Sequence, residues 1–126
     1  MDYCLGGDLR YQLPRKVFNE QETKFMMACL VSALEHVHSK QIVHRDIRPE
    51  NLVFDNKGFL KLTDFGVAQK VRDSQGISDT SGTPGYMAPE VICKLKHSYT
   101  ADFYAVGICA YELMFRRRPY GGADKN

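Results

Sequence analysis

Asp46, Asn51 and Asp64 are three oxygen-bearing side chains grouped in the middle of the chain. Between the last two lies Leu52-Val53-Phe54, then Asp55-Asn56-Lys57-Gly58, then Phe59-Leu60-Lys61-Leu62-Thr63, which reads as two short strands around a tight turn. A hairpin returns its ends to one place, so an amide oxygen and a carboxylate are expected side by side. Magnesium takes one or two hard oxygens of this kind from a protein and fills its remaining positions with phosphate oxygens and water. Asp46, on the loop before the hairpin, would then accept the proton of an incoming hydroxyl and orient its attack. The set suits phosphoryl transfer, in which negative charge spreads over the moving group and has to be met by cations. Taken singly, each residue has a plainer reading: Asp64-Phe65-Gly66 as a turn, Asn51 as a turn cap, Asp46 as a surface acid beside Arg45.

Flanking segments have to hold these residues in place. Asn19 with Glu22 three residues on gives a helix start, and Phe25, Met26, Cys29, Leu30, Ala33, Leu34 and Val37 recur at helical spacing, predicting a helix over 20–39 with one buried face. A shorter helix is expected to start near Asp8 and to end before Pro14. Residues 72–85 are rich in Ser, Thr, Gly and Asp without apolar period and read as a long loop, of the kind that is usually functional. From Ala101 to Met114 apolar residues nearly encircle a helix, predicting one buried on most sides. His36, His38 and His97 read as surface or helix-face residues.

With 126 residues, 44% of them hydrophobic and 25% charged, the chain fits one globular domain. A formal charge of +2 argues against nucleic-acid or membrane binding, and Arg116-Arg117-Arg118 reads as a solvated helix end. Cys4, Cys29, Cys93 and Cys109 are too scattered for a zinc site and read as reduced thiols in a cytoplasmic protein. No secretory leader or membrane span is visible.

His44-Arg45-Asp46-Ile47-Arg48-Pro49-Glu50-Asn51, then Asp64-Phe65-Gly66, then Ala88-Pro89-Glu90, resembles the protein-kinase signature in order and spacing. Arg48-Pro49-Glu50-Asn51 and Gly82-Thr83-Pro84-Gly85-Tyr86 resemble the serine/threonine pattern, and residues 5–13 and 86–90 are similar to the AGC class and within it the YANK group. The resemblance implies an α+β protein-kinase-like fold, here its mainly α-helical C-terminal lobe with a short β-hairpin. It implies ATP and Mg2+ as cofactors and a protein substrate with a serine or threonine acceptor. The residues it marks are Asp46 as base, Asn51 and Asp64 as metal ligands, Arg48 on the phosphate, Thr83 near the incoming hydroxyl and Val53 under the adenine ring. Glu50 and Asp8 would meet basic side chains of a peptide. His44 would be a packing residue that stacks on Phe65 and bonds Asp102.

Several positions depart from the pattern. Arg48 stands where lysine is usual, and Phe103 and Ala105 stand for the usual tryptophan and serine. Residues 1–7 resemble the hinge between two lobes, so 1–126 reads as a partial domain in which the small lobe and the arginine partner of Glu90 are absent. On that expectation the 126 residues alone would not turn over substrate. The alternative is a non-catalytic lobe or pseudokinase that binds a protein partner. Arg45, directly before Asp46, marks a kinase whose loop is ordered by a phosphate. Asp79 occupies the place where AGC-type enzymes carry the phosphorylated threonine, with Ser78 and Thr80 beside it.

Overall fold

The computed structural model describes residues 6–72 and 75–121. Helix α1 (Leu9–Gln12) starts at Asp8, whose side chain accepts from the Tyr11 N–H. Helix α2 (Glu20–Ser39) starts at a full capping box, in which the Asn19 side chain accepts from the Glu22 N–H and the Glu22 side chain accepts from the Asn19 N–H. Its buried face is Met26, Leu30, Leu34 and Val37, as the spacing predicts. Phe25 departs from that reading: it is exposed and rests against Phe59 at the hairpin, ring centroids 5.7 Å apart.

Strands β2 (Leu52–Phe54) and β3 (Leu60–Leu62) form the hairpin in antiparallel register, Leu52 opposite Leu62, with Gly58 at φ 85° in the turn. A second antiparallel pair joins β1 (Ile42–Val43) to β4 (Gln69–Lys70). These two ribbons bracket the segments 44–51 and 63–68 that carry the candidate residues. A single 3₁₀ turn, Pro49–Asn51, leads into β2.

Helix α3 (Pro89–Ile92) is one turn long, and helix α4 (Tyr99–Phe115) packs against α2 and β1. Leu9, Leu30, Leu34, Ile47, Leu52, Cys109 and Leu113 make one continuous core from α1, α2, the hairpin and α4. Burial raises the pKa of the Cys109 thiol, the charge of Glu112 adding to it, so Cys109 behaves as an apolar filler. The fold is thus the helical kinase-type lobe with its short hairpin. Helix α4 is buried on most sides, as its composition predicts: Ala101, Ala105, Val106, Ile108, Cys109 and Leu113 are buried, while Phe103 and Met114 are exposed. Among the described residues no helix is long and apolar enough to cross a membrane.

Candidate active site

Asp102 on α4 organises the segment before the hairpin. It is 1% exposed, and a carboxylate so placed must be hydrogen-bonded. Its Oδ2 accepts from the His44 N–H at 2.9 Å and its Oδ1 from the Arg45 N–H at 2.9 Å. The His38 ring Nε2 lies 2.8 Å from Oδ2, with that ring packed against Tyr99 and Phe103. His38 is therefore a half-buried anchor on the face of α2. The resemblance anticipated a bond between His44 and Asp102, but it runs through the backbone; the His44 ring Nε2 is 3.0 Å from the Thr63 carbonyl. The same ring meets Phe65 edge-on with centroids 4.8 Å apart. Two side chains thereby tie the segment at 44 to the far end of the hairpin.

Asp46 sits inside a fan of donors. Its Oδ1 accepts from the Thr83 hydroxyl at 2.6 Å, and its Oδ2 lies 3.1 Å from the Asn51 Nδ2 and 3.6 Å from the Arg48 Nε. Asn51 also donates Nδ2 to the Asp46 carbonyl at 2.8 Å, so its amide nitrogen is fully engaged and its carbonyl oxygen is left over. The Asn51 backbone carbonyl accepts from the Thr63 N–H at 2.9 Å and the Thr63 hydroxyl at 3.0 Å, which brings Asp64 next in the chain beside it. Asp64 is exposed at φ 61°, and its Oδ1 accepts from the Gly66 N–H at 3.0 Å.

Arg45 at φ 71° and Asp64 are both in the left-handed region, in a segment bonded at each end. Strain of this kind persists where the surroundings over-determine the backbone, and it collects at functional sites. Arg45 donates Nε to the Val67 carbonyl at 2.7 Å and pairs with Asp79 through Nη1. Gly82, at φ 126°, lets the loop backbone close on this segment, since a Cβ there would stand 2.6 Å from the Arg45 carbonyl oxygen.

The donor set can be tested against a metal. Among the described residues no cluster of three His, Cys, Asp or Glu side chains could hold an ion alone. What remains is a spare amide oxygen and a largely free carboxylate, hard oxygens that fit magnesium sharing its shell with phosphate and not a closed protein cage. Val53 is half-buried and pairs with Asp8 across an isolated antiparallel bridge. The stretch expected as a hinge lies outside the described residues except for Gly6 and Gly7.

Sequence reasoning missed a second polar cluster beside the first. Arg10 donates Nε to Glu50 at 3.1 Å, Nη1 to Glu112 at 2.7 Å and Nη2 to the Tyr86 hydroxyl at 2.6 Å, and that hydroxyl donates to Glu112 at 2.5 Å. Burial opposes the charge on Arg10, but the hydrogen bond to Glu112 and the surrounding negative groups outweigh it and raise its pKa. Burial, then the bond to Glu112, raises the Tyr86 pKa and keeps its hydroxyl a donor. Glu50 is therefore not a free acid awaiting a basic peptide, and Asp8 is spent on capping α1. Arg116 and Arg117 are exposed at the end of α4, as the solvated reading expects; Arg116 also donates to the Leu13 and Pro14 carbonyls, and Arg118 to the Pro84 carbonyl.

The chain matches the protein kinase domain model over residues 1–126. It belongs to the protein kinase family. Human cGMP-dependent protein kinase 2 is 42% identical over 126 residues, which cover 99% of this chain and 16% of that protein. The Caenorhabditis elegans putative ribosomal protein S6 kinase alpha-1 is 43% identical over 128 residues, 100% of this chain and 16% of that one. Both agree with the AGC-type likeness of the motifs. The kinase chain thus spans about a sixth of the length of these relatives (16%).

Proposed function

We infer that the natural protein carrying this kinase chain transfers the terminal phosphoryl group of ATP to serine or threonine hydroxyls of protein substrates. The observation that carries the reading is the Asp46 carboxylate, oriented by Thr83 and Asn51 beside the two spare hard oxygens of Asn51 and Asp64. Asp46 accepts the proton of the attacking hydroxyl, and the Thr83 hydroxyl, already on Oδ1, fixes the face it presents. Asn51 and Asp64 would hold magnesium, which would supply positive charge against the phosphates. Arg48, whose Nε is buried without a hydrogen-bond partner, would supply its guanidinium charge to the phosphate. Val53 would lie under the adenine ring. Scattered free thiols, with Cys29, Cys93 and Cys109 unpaired, support a cytoplasmic setting.

The metal assignment is tested on the full natural protein by titrating magnesium in a peptide-phosphorylation assay. Asp64→Ala is expected to lose magnesium-dependent turnover by about a hundredfold or more, because electrostatic stabilisation is the largest contribution in phosphoryl transfer. Unchanged turnover and magnesium midpoint in that variant would remove Asp64 from the metal site.

A second reading, a non-catalytic lobe that docks a protein partner, is favoured by the exposed apolar side chains Phe103, Met114 and Phe115 of α4. It would give a natural protein whose phosphate transfer never exceeds that of a variant lacking Asp46.

A further inference from the structure

Glu50 and Glu112 come from the segment after Asp46 and from α4, and they meet on one side of the candidate site. Glu50 directly precedes Asn51 and lies four residues beyond Asp46; Tyr86 lies three residues beyond Thr83. A peptide presenting its hydroxyl to Asp46 would run past this pair. The Glu112 side chain is only 8% exposed and that of Glu50 is 38% exposed, so the pair forms a part-desolvated anionic notch and not two solvated acids. One Glu50 oxygen, Oε2, is buried without a hydrogen-bond partner. Two carboxylates and a phenol oxygen at this spacing match the planar, multiply donating guanidinium better than any other natural side chain.

The notch is filled by the chain itself. Arg10 spends Nε, Nη1 and Nη2 on three different acceptors, contacts that span up to 102 residues of sequence. We propose that Arg10 is a built-in occupant of this guanidinium notch, so that the kinase does not select a substrate by a basic side chain there. Removing it would open a site for a peptide arginine. The consequence for substrates rests on the proposed kinase function; the existence of the notch does not.

Two measurements on the full natural protein separate these claims. In the first, the melting temperature of Arg10→Leu is followed in methylguanidinium chloride and in tetramethylammonium chloride of equal ionic strength. The variant should melt below the unsubstituted protein and recover about half or more of the loss in methylguanidinium only, by binding to the folded state. An equal response to both cations would overturn the notch. Arg10→Gln, which keeps length and hydrogen-bonding capacity, serves in the same assay if Arg10→Leu does not fold. In the second, serine and threonine peptides are scanned with arginine against alanine at each flanking position. The variant should gain a preference for arginine of about fivefold or more at one position over the unsubstituted kinase. An unchanged profile would overturn the selectivity claim, and absence of turnover in both proteins would sink the kinase reading while the melting result still decides the notch.

Discussion

A carboxylate that is to take a proton has to point one oxygen at the hydroxyl and keep its orientation. Asp46 achieves this with Thr83 on one oxygen and Asn51 on the other. Arg48 stands 3.6 Å from the same carboxylate through its Nε. Lysine at this position would supply the same charge from a single flexible point. Arg48→Lys is therefore expected to leave turnover of the full natural protein within about tenfold, roughly 1.4 kcal/mol in barrier. Complete loss on steady-state assay would mean that the guanidinium has a phosphate geometry of its own. Most of this site could be read from residue types and order, because Asp46, Asn51 and Asp64 lie close in sequence and a strong turn signal brings two of them together. The Arg10 cluster could not, because its partners at Glu50, Tyr86 and Glu112 give no local pattern.

Elements hold these residues through a few connections of large sequence separation. Asp102 connects α4 to the backbone at His44 and Arg45 and to the His38 ring on α2. Asp102→Ala leaves one buried and one part-buried N–H group without an acceptor and should lower unfolding free energy by about 3 kcal/mol, measured by urea denaturation. A cost near that of a surface substitution would contradict the anchoring role. At the start of α2, Asn19→Ala removes the acceptor for the Glu22 N–H and is expected to cost about 1 kcal/mol in the same measurement. Local signals sufficed for α2 and the hairpin, since caps, period and turn residues are written in consecutive positions. They did not mark His38 as an anchor, because its partner Asp102 lies 64 residues away.

Across the whole molecule, the loop between Gly66 and Ala88 decides whether Thr83 reaches Asp46. It is fastened at Ile77, which pairs with His97 through backbone bonds of 2.8 and 3.0 Å, and at Asp79, which pairs with Arg45. His97, read from sequence as a surface residue, is 5% exposed at this fastening. The Asp79 side chain is 60% exposed and carries one charge, so it holds the loop less firmly than a phosphate with its greater charge and three acceptor oxygens. The full natural protein, phosphatase-treated, should retain basal activity that falls several-fold in Asp79→Ala and less in Ser78→Ala. Equal rates for Asp79→Ala and the unsubstituted protein would reduce that pair to a solvated contact.

The loop, the hairpin and α4 converge on one carboxylate, and its removal is the most direct test. The full natural protein and its Asp46→Asn variant, with matched melting temperatures, are given ATP labelled in the terminal phosphate, magnesium and a mixture of serine and threonine peptides. Label is expected on peptide hydroxyls with the unsubstituted protein and to fall about 10²- to 10⁴-fold with Asp46→Asn, the range for loss of a general base. Equal transfer by both proteins, or none by either, would contradict the assignment of this site to phosphoryl transfer.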